Sequence, residues 1–391
     1  MKLAIKLAYR NLIGAGLRTW LNVIVLSFAF VVILWIKGVM VGWDHQAKTD
    51  MTNYEIGGGQ YWHENYDPYD PFTLYDSHAP APLQFKDEIE RGDMEPLLVV
   101  QGSIFPRGRM QSVSIKGINP DQTIFKLPAH KLDTITDAIP AFIGAMMAQS
   151  ARLEVGDRVT IRWRDAGGTF DAAEIIITGI FYSNVPAVEA AQVYIPLGKL
   201  QDMMGLDGHA TIITFRESEK ERVEPGGWIL KPKEELTKQV DDMLATKTAG
   251  QSVLYGILLL LAMLAIFDTQ VLSIFRRQKE IGTYIALGYT RKEVVGLFTV
   301  EGTMHAVLAF AAAMVYGLPF LAWQARVGFT IPMDASQFGM AMAQTMYPVF
   351  NVGLVISTVL LLTLTTAVVS WLPSRKIAKM NPTDALRGKL Q

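Results

Sequence analysis

The residues whose types and spacing could do chemistry concentrate in one stretch, Arg276-Arg277-Gln278-Lys279-Glu280-Ile281-Gly282-Thr283-Tyr284-Ile285-Ala286-Leu287-Gly288-Tyr289-Thr290-Arg291-Lys292-Glu293. The pattern points to recognition rather than catalysis. Lys279 to Leu287 predicts a short helix that Gly288 stops as a C-cap. Thr290 caps the following helix, and Glu293 three residues on completes a capping box. Ile281, Tyr284 and Ile285 share one face, and a short amphipathic helix of this kind suits docking into a groove on a soluble partner. Elsewhere the candidates thin out. His63, His78, His130 and His209 are scattered without metal-ligand spacing and read as surface or core histidines. There is no Gly-x-Ser-x-Gly elbow, His-Glu-x-x-His helix or nucleophile–base signature. Glu234-Glu235 and Asp241-Asp242 read as a solvated helix face. The chain has no cysteine, which excludes disulfides and thiolate metal sites. Asp268 and Glu301 stand in apolar surroundings, where an acid is costly and faces protein or water. Asp268 either pairs with a basic neighbour or lies at the membrane boundary. Glu301 is placed to bond polar groups on a neighbouring helix, with no second titratable partner evident for a proton relay.

The elements that position these residues follow from hydropathy. Half of the 391 residues are hydrophobic and the net charge is −1, but the charges nearly vanish from four windows. A hydrocarbon core of about 30 Å needs about 20 apolar residues in a helix, and residues 20–42, 252–275, 294–320 and 349–372 meet that requirement. Trp20 and Trp371 fall at one expected face and Trp43 and Trp323 at the other, where indole rings prefer to lie. Basic residues set the orientation. Lys2, Lys6, Arg10 and Arg18 precede the first window without an acid. The 276–293 loop and the 373–391 tail are also basic, whereas residues 42–251 hold 20 basic and 31 acidic residues. Four spans therefore put both termini and the loop in the cytoplasm. The first window is about twice the length of a signal-peptide core and lacks a small-x-small site, so it reads as an uncleaved span. Residues 1–19 read as a cytoplasmic amphipathic segment flanking it.

The predicted fold class is thus membrane α-helical, four transmembrane helices with an inserted α+β extracytoplasmic domain at 43–251 and an outer loop at 321–348. Runs at Leu97–Gln101, Ser112–Ile118, Val159–Trp163 and Glu174–Ile180 predict strands. Patterns at Phe85–Arg91, Ile139–Ala151 and Leu197–Met204 predict helices. The aromatic stretch Gly57 to Pro71 reads as loop with at most a short strand, either a recognition surface or a plug for the domain edge. Helical stalks are expected at Trp43–Met51 and Glu234–Thr248, able to transmit movement or to serve as passive supports. Gly38 with Gly42, and Ala309 with Ala313, form small-x-x-x-small faces for close helix contact, at a dimer seam or within one subunit.

The sequence Arg-x-x-Glu-Ile-Gly, then Ala-Leu-Gly and Arg, resembles the cytoplasmic loop of the FtsX-like, MacB-type permeases, membrane subunits of type VII ABC transporters. Leu153-Glu154-Val155-Gly156-Asp157, Gly179-Ile180-Phe181, Val193-Tyr194-Ile195-Pro196-Leu197 and the ending Ile377 to Arg387 are similar to further signatures of that family. The resemblance implies a homodimer or heterodimer of permeases bound to two ABC ATPase subunits. Glu280, Ile281, Gly282, Ala286, Leu287, Gly288 and Arg291 would then form the ATPase coupling helix and its exit. Asp268 departs from the family, which often has Asn there. No Walker A sequence occurs, since Gly198-Lys199 and Gly388-Lys389 are each followed by Leu. No cofactor is expected on this chain; ATP and Mg belong to the partner ATPase, and no nucleic acid is implied.

Within the family, the chain is most similar to lipoprotein-releasing, Lol-type permeases of the inner membrane. That reading rests on length, on the absence of a fused ATPase, and on Gly59-Gln60-Tyr61-Trp62…Tyr66. It implies a lipoprotein substrate, membrane lipids and a periplasmic chaperone as partners. Ile33, Ile36, Met40, Leu254, Leu258 and Leu261 would line a lateral substrate cavity. An efflux permease working with a periplasmic adaptor is the alternative, and a non-transporting regulator of a cell-wall hydrolase is a third.

Overall fold

The computed structural model describes residues 17–134, 136–183, 186–217, 222–330 and 345–379. Most of the N-terminal amphipathic segment, half of the outer loop and the end of the tail lie outside them. The chain divides into two compact units. One comprises Met1–Trp43, Met243–Phe329 and Met346–Gln391; the other comprises Asp44–Asp242 and Thr330–Thr345.

The first unit is built on helices α1 (Leu17–Met51), α2 (Lys238–Arg276), α3 (Gln278–Ala286), α4 (Arg291–Val327) and α5 (Val352–Ser374). Four of them are long and apolar enough to cross a membrane. Their ends follow local chemistry. Thr290 accepts from the Glu293 backbone N–H while the Glu293 carboxylate takes the Thr290 N–H, the reciprocal capping box the sequence predicts. Asn351 caps α5 through the Leu354 N–H. This helix starts at Val352, three residues after the predicted boundary, because Val349 donates its N–H to the Gly38 carbonyl and stays extended. One core joins Val23, Phe30 and Leu34 of α1 to Ala262 and Ile266 of α2, Ala309 and Ala313 of α4 and Leu362 of α5. Polar ties run between the same helices: Asn22 to Thr269 at 2.6 Å, Tyr316 to Ser27 at 3.1 Å and Trp35 to Gln324 at 3.3 Å. Trp20, Trp323 and Trp371 keep exposed rings, but Trp43 is buried, so only three of the four rings have the exposure that an interfacial belt requires.

The second unit is a β-rich domain. Its strands are β1 (Gly59–His63), β2 (Ala79–Pro80), β3 (Met94–Ile104), β4 (Gln111–Ile118), β5 (Ile139–Gly144), β6 (Arg158–Arg164), β7 (Phe170–Phe181), β8 (Gln192–Pro196), β9 (His209–Ala210), β10 (Ile212–Phe215) and β11 (Trp228–Pro232). The main sheet runs β11-β1-β10-β3-β4-β8-β5-β7-β6, and β3 pairs again with β6. The segment β3-β4-β8-β5-β7-β6 therefore closes on itself. Closure is possible because β3 is long: Met94–Leu97 pair with β10 and Gly102–Ile104 with β6. Ile115, Ala141, Ile143, Ile161, Ile177 and Val193 fill one side of the closed sheet. Phe142, Phe181 and Tyr194 pack on the other, Phe142 stacked on Tyr194 at 4.7 Å and Phe181 edge-on to both.

One prediction is corrected here. Ile139–Ala151 is not one helix: Ile139–Gly144 is strand β5 and only Ala145–Ala151 is helical. Nearly every residue of β5 is buried, so the alternation that marks a strand is missing. The aromatic stretch holds the one short strand allowed for it, β1. Gln60, Tyr61 and His63 are buried within β1, while Tyr69 beyond it is 73% exposed.

Candidate functional site

The loop that carries the most informative motif is held by a buried ion pair. Arg277 breaks the helix between α2 and α3. Its guanidinium Nη1 donates to both Glu301 oxygens at 2.7 and 2.8 Å, and its Nε donates to Glu280 at 2.6 Å. The same cation lies over the Phe298 ring at 4.8 Å. Both ends of the Arg277–Glu301 pair are largely shielded from solvent, so the charges act at reduced dielectric and neither can be left alone cheaply. One arginine thus joins the start of α3 to Glu301, about three turns into α4.

Beneath this pair, Ile274, Ile281, Val294, Phe298 and Ile377 form a separate core, with Tyr284, Ile285 and Val295 packed at its margin. Ile281, Tyr284 and Ile285 share one face, as the sequence predicts, and that face packs on the protein's own core, with Ile281 fully buried. Gly282 is buried beside it. What projects is the exit of the helix. Leu287 is 72% exposed and Tyr289 44% exposed, flanked by exposed Ala286, Gly288 and Arg291. Gly288 has φ +98°, and the Tyr289 N–H reaches back to the Tyr284 carbonyl at 3.1 Å. This is the closing hydrogen bond of a left-handed C-terminal cap. Glycine is needed there because an L side chain is strained at that φ. The arrangement is a rigid apolar knuckle on a helix clamped to α4. It can receive or deliver a push, and no group in it is poised for bond chemistry.

The remaining site residues fall as follows. Glu301 is buried and paired with Arg277, a partner 24 positions earlier that the sequence reading counted only as a flanking charge. His305, one turn beyond, is buried with its Nδ1 at 3.0 Å from the Gly302 carbonyl and its Nε2 unpartnered among the described residues. Asp268 lies on the exposed face of α2, and no ion pair to it occurs among the described residues. Gly38 faces the Phe350 ring and Gly42 the Tyr347 carbonyl, while Ala309 and Ala313 are in the helix core. All four serve contacts inside one chain. Of the six expected cavity-wall residues, Leu254 and Leu261 are exposed, Ile36, Met40 and Leu258 are half-buried, and Ile33 is fully buried. Ile33 therefore cannot line an open wall in this arrangement.

In the β-rich unit the first expected stalk ends in a joint. After α1, a short wide turn at Thr52–Ile56 carries Glu55 onto the sheet. Glu55 meets Lys116 at 3.1 Å and Gln192 at 3.3 Å, and its carbonyl accepts from Gln60. Burial pushes the Glu55 carboxyl up, but the Lys116 charge and hydrogen bond outweigh it and hold it below the usual value. Lys48 pairs with Asp44 at 3.0 Å and with Asp241 at the start of α2, which clamps the two stalk segments together. His78 and His209, unrelated in sequence, are brought to 3.0 Å between their Nδ1 atoms by the β2–β9 pairing. No group of three or more metal-competent side chains occurs among the described residues.

Part of the chain is similar to known proteins. Residues 252–382 match the FtsX-like permease C-terminal family. A macrolide export ATP-binding/permease protein MacB of Agrobacterium fabrum is 24% identical over 56% of this chain and 34% of its own length. The MacB of Vibrio parahaemolyticus is 24% identical over 39% of this chain and 21% of its own. An uncharacterized ABC transporter permease of Methanocaldococcus jannaschii is 26% identical over 40% of this chain and 37% of its own. The chain thus spans only about a fifth to a third or so of the curated relatives it matches. Among solved structures, the extracellular domain of the noncanonic ABC-type transporter YknZ from Gram-positive bacteria is 16% identical, covering 41% of this chain and 84% of that chain, with a TM-score of 0.25. At that score the likeness carries no weight.

Proposed function

We propose, from the premise that this chain belongs to the FtsX/MacB-type permease family, that it is the membrane subunit through which a separate ABC ATPase moves an amphipathic substrate. The observation that carries the reading is the clamped knuckle: Leu287 and Tyr289 project from a helix whose Arg277 is bonded to both Glu280 and Glu301. A push on the knuckle is carried into α4 through the ion pair and the core around Phe298, because packed interiors transmit displacement instead of absorbing it. In this reading Leu287, Gly288 and Arg291 meet the ATPase, whereas Ile281 and Gly282 fix the helix. ATP and Mg are bound by the ATPase. Two permease copies and two ATPase subunits form the working assembly in the inner membrane, with the β-rich unit outside the cytoplasm.

For the cargo, extraction of a lipoprotein from the outer leaflet is supported by the exposed apolar face at Leu254 and Leu261. Gln60 and Tyr61 give it less support than their sequence resemblance implied, since both are buried in β1. Expulsion of peptides or drugs with a periplasmic adaptor is the second reading, favoured by relatives named as macrolide exporters. Co-expression with a stand-alone ABC ATPase from the same source tests the common part. Leu287→Asp should abolish copurification of the ATPase, and Glu280→Ala should lower its turnover while leaving assembly intact. Unchanged assembly with Leu287→Asp would refute the assignment.

A further inference from the structure

The helix ends that carry the basic flanks enclose a groove of about 810 Å³ between the start of α4 and the end of α5. Its floor is apolar, with Val295, Val300 and Leu372, and its rim carries Lys292, Arg375 and Lys376. All three cations are exposed, and none forms an ion pair among the described residues. Arg375 lies over the Trp371 ring at 4.5 Å, which holds its guanidinium at the rim. The floor is open because Gly296 has no side chain, and a Cβ added there would meet nothing within 4 Å. Trp371 and the ends of both apolar helices place the rim at the boundary between hydrocarbon and water.

We infer that this groove is a binding site for an anionic phospholipid, independent of the cargo. The headgroup phosphate is held by Lys292, Arg375 and Lys376, and an acyl chain lies over Val295, Gly296 and Val300. Charge complementarity selects the occupant: three exposed cations without an ion pair among the described residues, above an apolar floor, match a negative head joined to a hydrocarbon tail. A zwitterionic lipid would satisfy the floor equally well and the rim poorly. A lipid seated there would wedge the ends of α4 and α5, next to the core that holds α3.

Native mass spectrometry of the full chain in detergent, with dioleoyl phosphatidylglycerol or dioleoyl phosphatidylcholine added, reads the site. Phosphatidylglycerol should bind about tenfold more tightly. The preference should vanish in the Lys292→Gln/Arg375→Gln/Lys376→Gln variant. Gly296→Phe should block binding of both lipids at this site while leaving the chain folded, because the ring enters open space. Equal binding of the two lipids by the unaltered chain would overturn the proposal, as would full phosphatidylglycerol binding by Gly296→Phe. Displacement of the lipid by inorganic phosphate would reduce the site to a phosphate site and contradict it. If the triple variant keeps its lipid but loses a copurifying ATPase subunit, the face docks protein and the lipid assignment fails.

Discussion

At the scale of single residues, Arg277 decides how firmly the 276–293 loop is tied to α4. It satisfies a buried carboxylate, and removing one member of a shielded pair costs more than removing both. Arg277→Gln is expected to lower the unfolding free energy in detergent by about 3 kcal/mol, with Arg277→Gln/Glu301→Gln recovering part of that loss. Thermal unfolding of the two variants checks this; equal destabilisation would mean the pair is not coupled. Glu95 makes a second residue-level case. Burial pushes its carboxyl up to about 7, against the hydrogen bond it accepts from the Asn119 N–H at 2.8 Å. A raised acid binds its proton more tightly folded than unfolded. Its contribution to stability is full below the unfolded value near 4.5 and declines as pH rises through 7. Glu95→Gln keeps the acceptor and removes the titration. It should leave stability near pH 5 almost unchanged and raise it at pH 8 by up to about 3 kcal/mol. Denaturant unfolding at both pH values reads the difference, and a variant equally shifted at both would count against it.

At the scale of elements, close packing rather than propensity governs the apolar helices. A Cβ at Gly42 would sit 1.9 Å from the Tyr347 carbonyl oxygen, which is backbone and cannot move aside, whereas one at Gly256 meets nothing. Gly42→Ala should therefore lower the melting temperature, while Gly256→Ala should hold or raise it by the helix preference of alanine, up to about 1 kcal/mol. Differential scanning fluorimetry in detergent compares them directly. The same distinction explains what the sequence could disclose. The capping box at Thr290 and Glu293 and the turn at Gly288 depend on residues three or four apart, so they were legible. The four apolar helices were legible because a span must be apolar over its whole length. Strand β5 was not, because burial on both faces erases alternation, and the short strand allowed for in the aromatic stretch could not be placed because β1 shows no alternation either. The second pairing of β3 with β6 depends on the length and twist of a strand, which no local pattern encodes.

At the scale of the whole molecule, the candidate site was half legible. The sequence located the loop and named Glu280, Gly282 and Leu287. Amphipathicity marks a buried side without saying whose core it enters, and Ile281 enters the chain's own. The tie from Arg277 to Glu301 spans a turn and part of a helix, and only the folded chain brings the two together. The Glu55–Lys116 joint and the Lys48–Asp241 clamp were equally invisible, although the stalk segments they secure were expected. Each of these ties joins residues far apart in the sequence, Glu55 to Lys116 and Lys48 to Asp241 in the β-rich unit and Arg277 to Glu301 in the helical one.

The central claim is that the knuckle at Leu287 meets an ATPase. Because the chain has no cysteine of its own, Leu287→Cys supplies a unique thiol for a photo-crosslinker, and Phe72→Cys, at an 81% exposed position in the β-rich unit, supplies the control. In membranes containing both proteins, the label at 287 should yield an adduct with the ATPase subunit and the label at 72 should not. An ATPase adduct from position 72, or none from 287 in an assembly shown to be intact, would contradict the account.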